Sequence, residues 1–238
     1  MAVKQSWLIA VAAAALLPAA AQAESSYDAE RRVLRLDGGD VTYAFRVAES
    51  GLVQAVYWGP RLAAGDPIDA PELRGHSGFD VTTNVVPQEY AGQGGGLFAE
   101  PALKVAWPDG NRDLVLHYVS HRLGRDSIDV ELRDIRRPLG VTLRYTIDRD
   151  TGIVGRSAVI ANGGDGDVRV DQAAAAGYTL PVNPDYRLHH LTGRWAAEWF
   201  SRMDQSVAAS ALLCATTASC RRSDSKADVS MASRAASA

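Results

Sequence analysis

Hydrophobicity with a period of two recurs from about residue 30 to residue 199 of this chain. No other feature constrains the fold more, because side chains alternate between faces only in a strand. In 41–47, Val41, Tyr43, Phe45 and Val47 fall on one face. In 127–135, Ile128, Val130 and Leu132 face one way and Asp129, Glu131 and Arg133 the other. Val141, Leu143, Tyr145 and Ile147 repeat the pattern in 139–148. Further strands are expected at 33–36, 52–58, 80–86, 102–107, 113–122, 152–162, 167–176 and 187–199. Turn signals separate them roughly every 8 to 12 residues, as in antiparallel sandwiches. Helical periodicity with caps is scarce; Ala173 to Ala176 is the one helix-friendly run. The expected fold class is all-β, with one wet and one buried face per sheet.

The chain has 238 residues, 47% of them hydrophobic, enough for a sizeable core. A net charge of −3 gives no basic surface for nucleic acid. No apolar run is long enough for a membrane span in the mature protein. Residues 1–23 read as a secretory signal: Lys4 is the positive n-region, 7–17 the apolar h-region, and Ala21-Gln22-Ala23 the cleavage site. Export to a periplasm or beyond is expected. Cys214 and Cys220 are the only cysteines, so the body must hold together by its core alone.

Composition shifts at the C-terminal end. Residues 201–238 contain ten Ala and nine Ser but no Gly, Pro or aromatic residue, unlike everything upstream. This low-complexity tail reads as disordered or as the product of a reading-frame shift near Trp199 or Phe200.

Chemistry-bearing constellations are few. Asp80, Glu89, Glu100, Asp134 and Glu198 are the acids to weigh, and each reads as a solvated face or a turn cap. No pair among them has the spacing that glycoside hydrolysis needs. His117 and His121 lie four apart in a strand, about 13 Å along it, too far to share a metal. His189 and His190 point to opposite faces. Tyr118 and His121 read as packing or hydrogen-bonding residues. The Gly94-Gly95-Gly96 loop lacks the spacing of a phosphate cradle and reads as a sharp turn. Trp58, Trp107, Trp195 and Trp199 could stack on sugars, but core packing is the expected role. No catalytic residue, metal ligand or cofactor site is expected, and no sugar-contacting residue can be named.

Six ordered segments carry a family resemblance. They are Tyr57-Trp58-Gly59-Pro60-Arg61-Leu62; Pro87-Gln88-Glu89-Tyr90 with Gly94-Gly95-Gly96 and Pro101-Ala102-Leu103; and Leu116-His117-Tyr118-Val119-Ser120-His121-Arg122. Leu132-Arg133-Asp134 with Pro138-Leu139-Gly140-Val141-Thr142-Leu143-Arg144-Tyr145 follows, then Arg156 with Asn162, and Leu191-Thr192-Gly193-Arg194-Trp195-Ala196-Ala197-Glu198. In this order they resemble the N-terminal domain of glycoside hydrolase family 36, the α-galactosidases. The loop between Arg61 and Pro87 fits no family pattern.

The resemblance implies a galactose-mutarotase-like supersandwich over 24–200. In the full-length family it implies retaining hydrolysis of terminal α-galactosides such as melibiose and raffinose. Both catalytic aspartates belong to a barrel that follows this domain and is missing from this chain. Carbohydrate is the implied partner, and homo-oligomers are implied through the family. The chain thus reads as an inactive fragment with an incomplete sandwich, whose bare edges should recruit other chains. The alternative is a free-standing carbohydrate-binding or interaction sandwich.

Overall fold

The structure is a computed structural model that describes residues 24–70, 73, 75, 77–177, 187–194, 197–205 and 226–233, with side-chain environments as far as residue 177. Residues 1–23, Cys214, Cys220 and Trp195 lie outside the described residues.

The strands in chain order begin with β1 (Glu24–Asp28), β2 (Val33–Gly38), β3 (Val41–Val47), β4 (Val53–Pro60) and β5 (Leu103–Ala106). They continue with β6 (Leu116–Leu123), β7 (Ser127–Asp134), β8 (Leu139–Ile147), β9 (Val154–Asn162), β10 (Arg169–Ala173), β11 (Arg187–Arg194), β12 (Ala197–Gln205) and β13 (Lys226–Ser233). One sheet is the antiparallel meander β1-β2-β3-β4. The other runs β13-β9-β8-β7-β6, also antiparallel throughout. Two small pairs, β5 with β10 and β11 with β12, complete the described strands.

The two large sheets pack face to face through the residues that alternation had singled out. Leu34, Leu36, Tyr43 and Phe45 from the first meet Ile128, Val130, Leu143, Tyr145 and Ala158 from the second in one core. The Phe45 and Tyr145 rings stack at 4.4 Å. Each of the leucines, the isoleucine, the valine and the phenylalanine among them contributes roughly 1.5–3 kcal/mol by leaving water. In β7 and β8 the opposite face is partly or fully exposed, as expected for a half-buried sheet. β3 differs, because Thr42 and Ala44 on its other face are buried too. The 61–69 segment folds over that face, and Ile68 joins Val33 and Ala44 in a second small cluster.

Several boundaries differ from expectation. Residues 80–86 are not a strand: Thr82–Val85 forms a single helical turn, α1. Asp80 Oδ2 accepts the Ser77 N–H at 2.8 Å and Val86 N–H bonds Thr82 O at 3.0 Å, so the segment satisfies its own backbone locally. The single strand expected over 187–199 is a hairpin, β11 and β12, which continues past Phe200. β1 was not expected; it adds five residues to the free edge of β2. The segment 226–233, within the Ala- and Ser-rich tail, pairs with β9.

Candidate functional site: the buried Glu89–Arg156 cluster

Glu89 follows a short extended stretch clamped to β4. Ala55 N–H bonds Pro87 O and Glu89 N–H bonds Val53 O, each at 2.9 Å. This clamp turns the Glu89 side chain into the sandwich, where the residue is 1% exposed. Tyr43 Oη of the first sheet donates to its carboxylate at 2.7 Å, and Tyr145 Oη of the second at 3.1 Å. Arg156 Nη2 completes an ion pair at 2.9 Å. The same guanidinium donates to Glu89 O and Gly177 O, both at 2.9 Å, and lies over the Tyr145 ring. A charge buried this deeply is tolerated only when paired and fully hydrogen-bonded, and this one is both.

Burial holds both phenols well above their usual range. For Tyr43 the Arg156 charge opposes that and the Glu89 carboxylate adds to it; for Tyr145 the carboxylate adds and Arg156 opposes. Both therefore stay protonated and serve as donors. Chemically the cluster is a fastener. It joins the two sheets, the Pro87–Tyr90 stretch and the chain at Gly177, and it leaves the carboxylate no open side for a substrate.

Beyond Glu89 the chain enters the glycine-rich loop. Gly94 passes so close to Leu114 that a Cβ there would lie 2.5 Å from the Leu114 nitrogen. Gly95 and Gly96 adopt φ of 61° and 80°. The triplet is thus a close-approach turn. Phe79, at 96% exposure, and Phe98, at 88%, stand out from this end of the molecule.

The other weighed acids are also committed. Asp134, 6% exposed, accepts from Val115 N–H at 2.9 Å and from the Arg136 and Arg137 amides at 3.1 and 2.7 Å. It is the turn cap that the sequence suggested. Asp80 caps the turn at Ser77, and Glu100 pairs with Lys104. Glu198 lies in β12, outside the described side chains. Glu89 was expected on a solvated face or in a turn; the structure corrects this to the core, because the clamp to β4 aims it inward. Arg156 had been noted only as part of a motif. Its inward place in alternating β9 was the signal that it needed a buried acid.

His117 and His121 do not converge, and the side chains of His189 and His190 lie outside the described ones. A bulge between Tyr118 and Ser120 breaks the alternation of β6 between His117 and His121. His121 Nδ1 lies 2.7 Å from Tyr118 Oη, and its ring packs 4.3 Å from Tyr27, whereas His117 sits beside Gly51. Burial holds His121 below its usual pKa. Among the described residues no three His, Cys, Asp or Glu side chains form a metal site. Trp58 packs edge-on to Tyr43 at 6.0 Å, and Trp107 is buried beneath the Arg137 guanidinium at 4.6 Å, so both serve the core. Trp199 is in β12, outside the described side chains.

A surface recess of about 390 Å³ opens where the 64–68 segment passes β1 and β2. Its charges are already paired: Arg31 with Asp28 and Asp69 at 3.2 and 3.1 Å, and Arg35 with Asp37 at 2.7 Å. Asp66 accepts the Ala63 N–H at 2.8 Å.

Two antiparallel sheets tied by an internal ion pair define a β-sandwich domain. The Glycosyl hydrolase family 36 N-terminal domain matches residues 51–214, and the chain belongs to that family. Alpha-galactosidase AgaA of Geobacillus stearothermophilus is 26% identical over 210 residues, covering 74% of this chain and 28% of the relative. A probable alpha-galactosidase G of Aspergillus terreus is 27% identical, covering 68% and 25%. The solved structure of alpha-galactosidase AgaB from G. stearothermophilus superposes with a TM-score of 0.66 at 24% identity, over 77% of this chain and 28% of that one. A variant of AgaA solved in complex with raffinose gives a TM-score of 0.60 at 25% identity, over 74% and 28%. The chain thus spans about a quarter of the length of these relatives.

Proposed function

We propose that this chain is the N-terminal sandwich of an α-galactosidase acting on terminal α-galactosides of the raffinose type, and that it does not hydrolyse them by itself. One observation carries the second half. Retaining hydrolysis needs two carboxyl groups about 5–5.5 Å apart across the scissile bond. Among the acids weighed, Glu89, Asp134, Asp80 and Glu100 each have at least one oxygen engaged, by Arg156, backbone amides or Lys104. Family membership, together with a relative solved with raffinose, supports the first half. Incubating the purified chain with p-nitrophenyl α-galactoside should release no nitrophenol above the buffer rate. Sustained, galactose-inhibited turnover would overturn the reading. The tripartite pattern of residues 1–23 supports export, with a mature chain starting at Glu24. N-terminal sequencing of protein recovered from a periplasmic extract tests that.

A further inference from the structure

The outer strands of the larger sheet are built differently. β6 carries a bulge at Tyr118/Ser120 and an exposed Arg122, and its Tyr118 N–H is bonded to Gly51 O at 2.8 Å. Bulges, charges and covering contacts are how natural edges avoid pairing with other chains. β9 has none of these on its own. It pairs with β8 over nine residues without a register shift. It contains no proline and no lysine, and its one charged residue, Arg156, is buried in the ion pair with Glu89. Gly155, Ser157, Val159 and Ala161, which alternate with its buried residues, are neutral.

Such a strand needs a cover, and Lys226–Ser233 supplies it: eight residues run antiparallel to β9 with no register shift. Although the tail is of low complexity, this stretch alternates. Ala227, Val229 and Met231 fall opposite Ile160, Ala158 and Arg156, while Lys226, Asp228 and Ser230 fall opposite Ala161, Val159 and Ser157. Opposite residues in an antiparallel pair share a face, so the alternation of the tail matches that of β9.

We propose that the edge of β9 is a strand-acceptor site, that Lys226–Ser233 is its cap, and that with this cap displaced the edge takes the same strand from a second copy. Backbone amides and carbonyls would supply the binding, and the polar/apolar alternation the register. The connection through 206–225 can span about 65 Å when extended, so the strand can reach its own sheet or that of a neighbour. Its tether gives the strand an effective concentration on the order of millimolar. At micromolar protein the chain's own strand therefore wins, and the edge accepts an intact strand from another molecule only when its own cap is displaced.

The full chain carrying Val229→Pro and Ser230→Pro together tests this. Successive amides alternate in direction, so one of the two prolines removes a donor facing β9. In this variant every copy's own strand is broken, so a labelled peptide of the parental sequence 226–233 stands in for the intact strand of a second copy. The peptide should bind the variant saturably at on the order of 10 µM and the parent at least tenfold more weakly, and the same peptide carrying both prolines should bind neither. A variant that leaves the parental peptide free overturns the proposal, as does equal binding by variant and parent. Register is tested separately in a Cys214→Ser, Cys220→Ser background. Ser157→Cys with Ser230→Cys should form an intrachain disulfide at least tenfold faster than Ser157→Cys with Ser233→Cys. Equal rates would overturn the proposed pairing. Neither readout involves sugar or hydrolysis, so both stand apart from the α-galactosidase reading.

Discussion

Glu89 and Arg156 meet at 2.9 Å in the interior of the sandwich, with side chains 1% and 2% exposed. Neither charge has water to fall back on. Removing one partner leaves the other buried and uncompensated, which costs about 3–5 kcal/mol. Glu89→Ala should therefore lower the urea unfolding free energy by about that amount. The double variant Glu89→Leu, Arg156→Leu should lose less than the two single losses added together, because no lone charge remains. Strict additivity across this cycle would show that the ion pair is not the fastener described.

Gly94 illustrates a different constraint, close approach. A Cβ at this position would meet the Leu114 nitrogen at 2.5 Å and the Asp113 carboxylate at 2.6 Å, and backbone cannot give way as a flexible side-chain end can. Overpacking of this kind costs about 1–3 kcal/mol. Gly166 has open space around its Cβ direction and no positive φ. Gly94→Ala should thus destabilise by about 1–3 kcal/mol, while Gly166→Ala stays within about 0.5 kcal/mol of the parent. Thermal or urea unfolding of the two variants distinguishes them, and equal effects would contradict the loop geometry.

What the sequence revealed and what it concealed follow from the range of the interactions. Ile128, Val130 and Leu132 declared their common face through local alternation, and β7 buries those residues. Motif order pointed to the family, and the match over 51–214 agrees. Glu89 was misread because its burial depends on Tyr43, Tyr145 and Arg156, which lie 46 to 67 positions away in the chain. The α1 turn differs from the strand expected there because Val81, Thr82 and Thr83 favour strands, yet no described strand pairs with them. Thr42 and Ala44 are buried because the 61–69 segment covers them, and that segment has no periodicity to announce it.

His121 sets a pH dependence. Partial burial holds its pKa below the usual 6.5, and its Nδ1 lies 2.7 Å from the Tyr118 hydroxyl. Above the unfolded value both states are neutral and the residue has no effect on stability. As pH falls through that value, the unfolded chain takes up the proton first, and native stability drops until the folded pKa is passed. The melting temperature should therefore decline from pH 7 to pH 5, and His121→Gln should flatten that decline. Asp28, Asp109, Asp148 and Asp171, all held low by hydrogen bonds, lose their contribution in a separate window below about pH 4. If His121→Gln leaves the slope between pH 7 and 5 untouched, the half-buried imidazole is not its source.

Asp37 governs the cover over the outer face of the first sheet. Its carboxylate holds the Arg35 guanidinium at 2.7 and 3.0 Å and accepts the Thr42 hydroxyl. Arg35 in turn donates to Leu62 O at 2.6 Å and Ala63 O at 3.0 Å, and Thr42 Oγ1 accepts the Leu62 N–H at 3.0 Å. Every one of these bonds to the 61–63 stretch passes through Arg35 or Thr42, both oriented by Asp37. The main core lies on the opposite face and does not involve them. Asp37→Ala should consequently speed amide exchange at Leu62 and in the following segment through Ile68, by local opening rather than global unfolding. Amides of β7 and β8 should keep their parental protection. Uniformly faster exchange across both sheets would mean that Asp37 supports the whole sandwich, and unchanged exchange at Leu62 would mean that the segment is held without it.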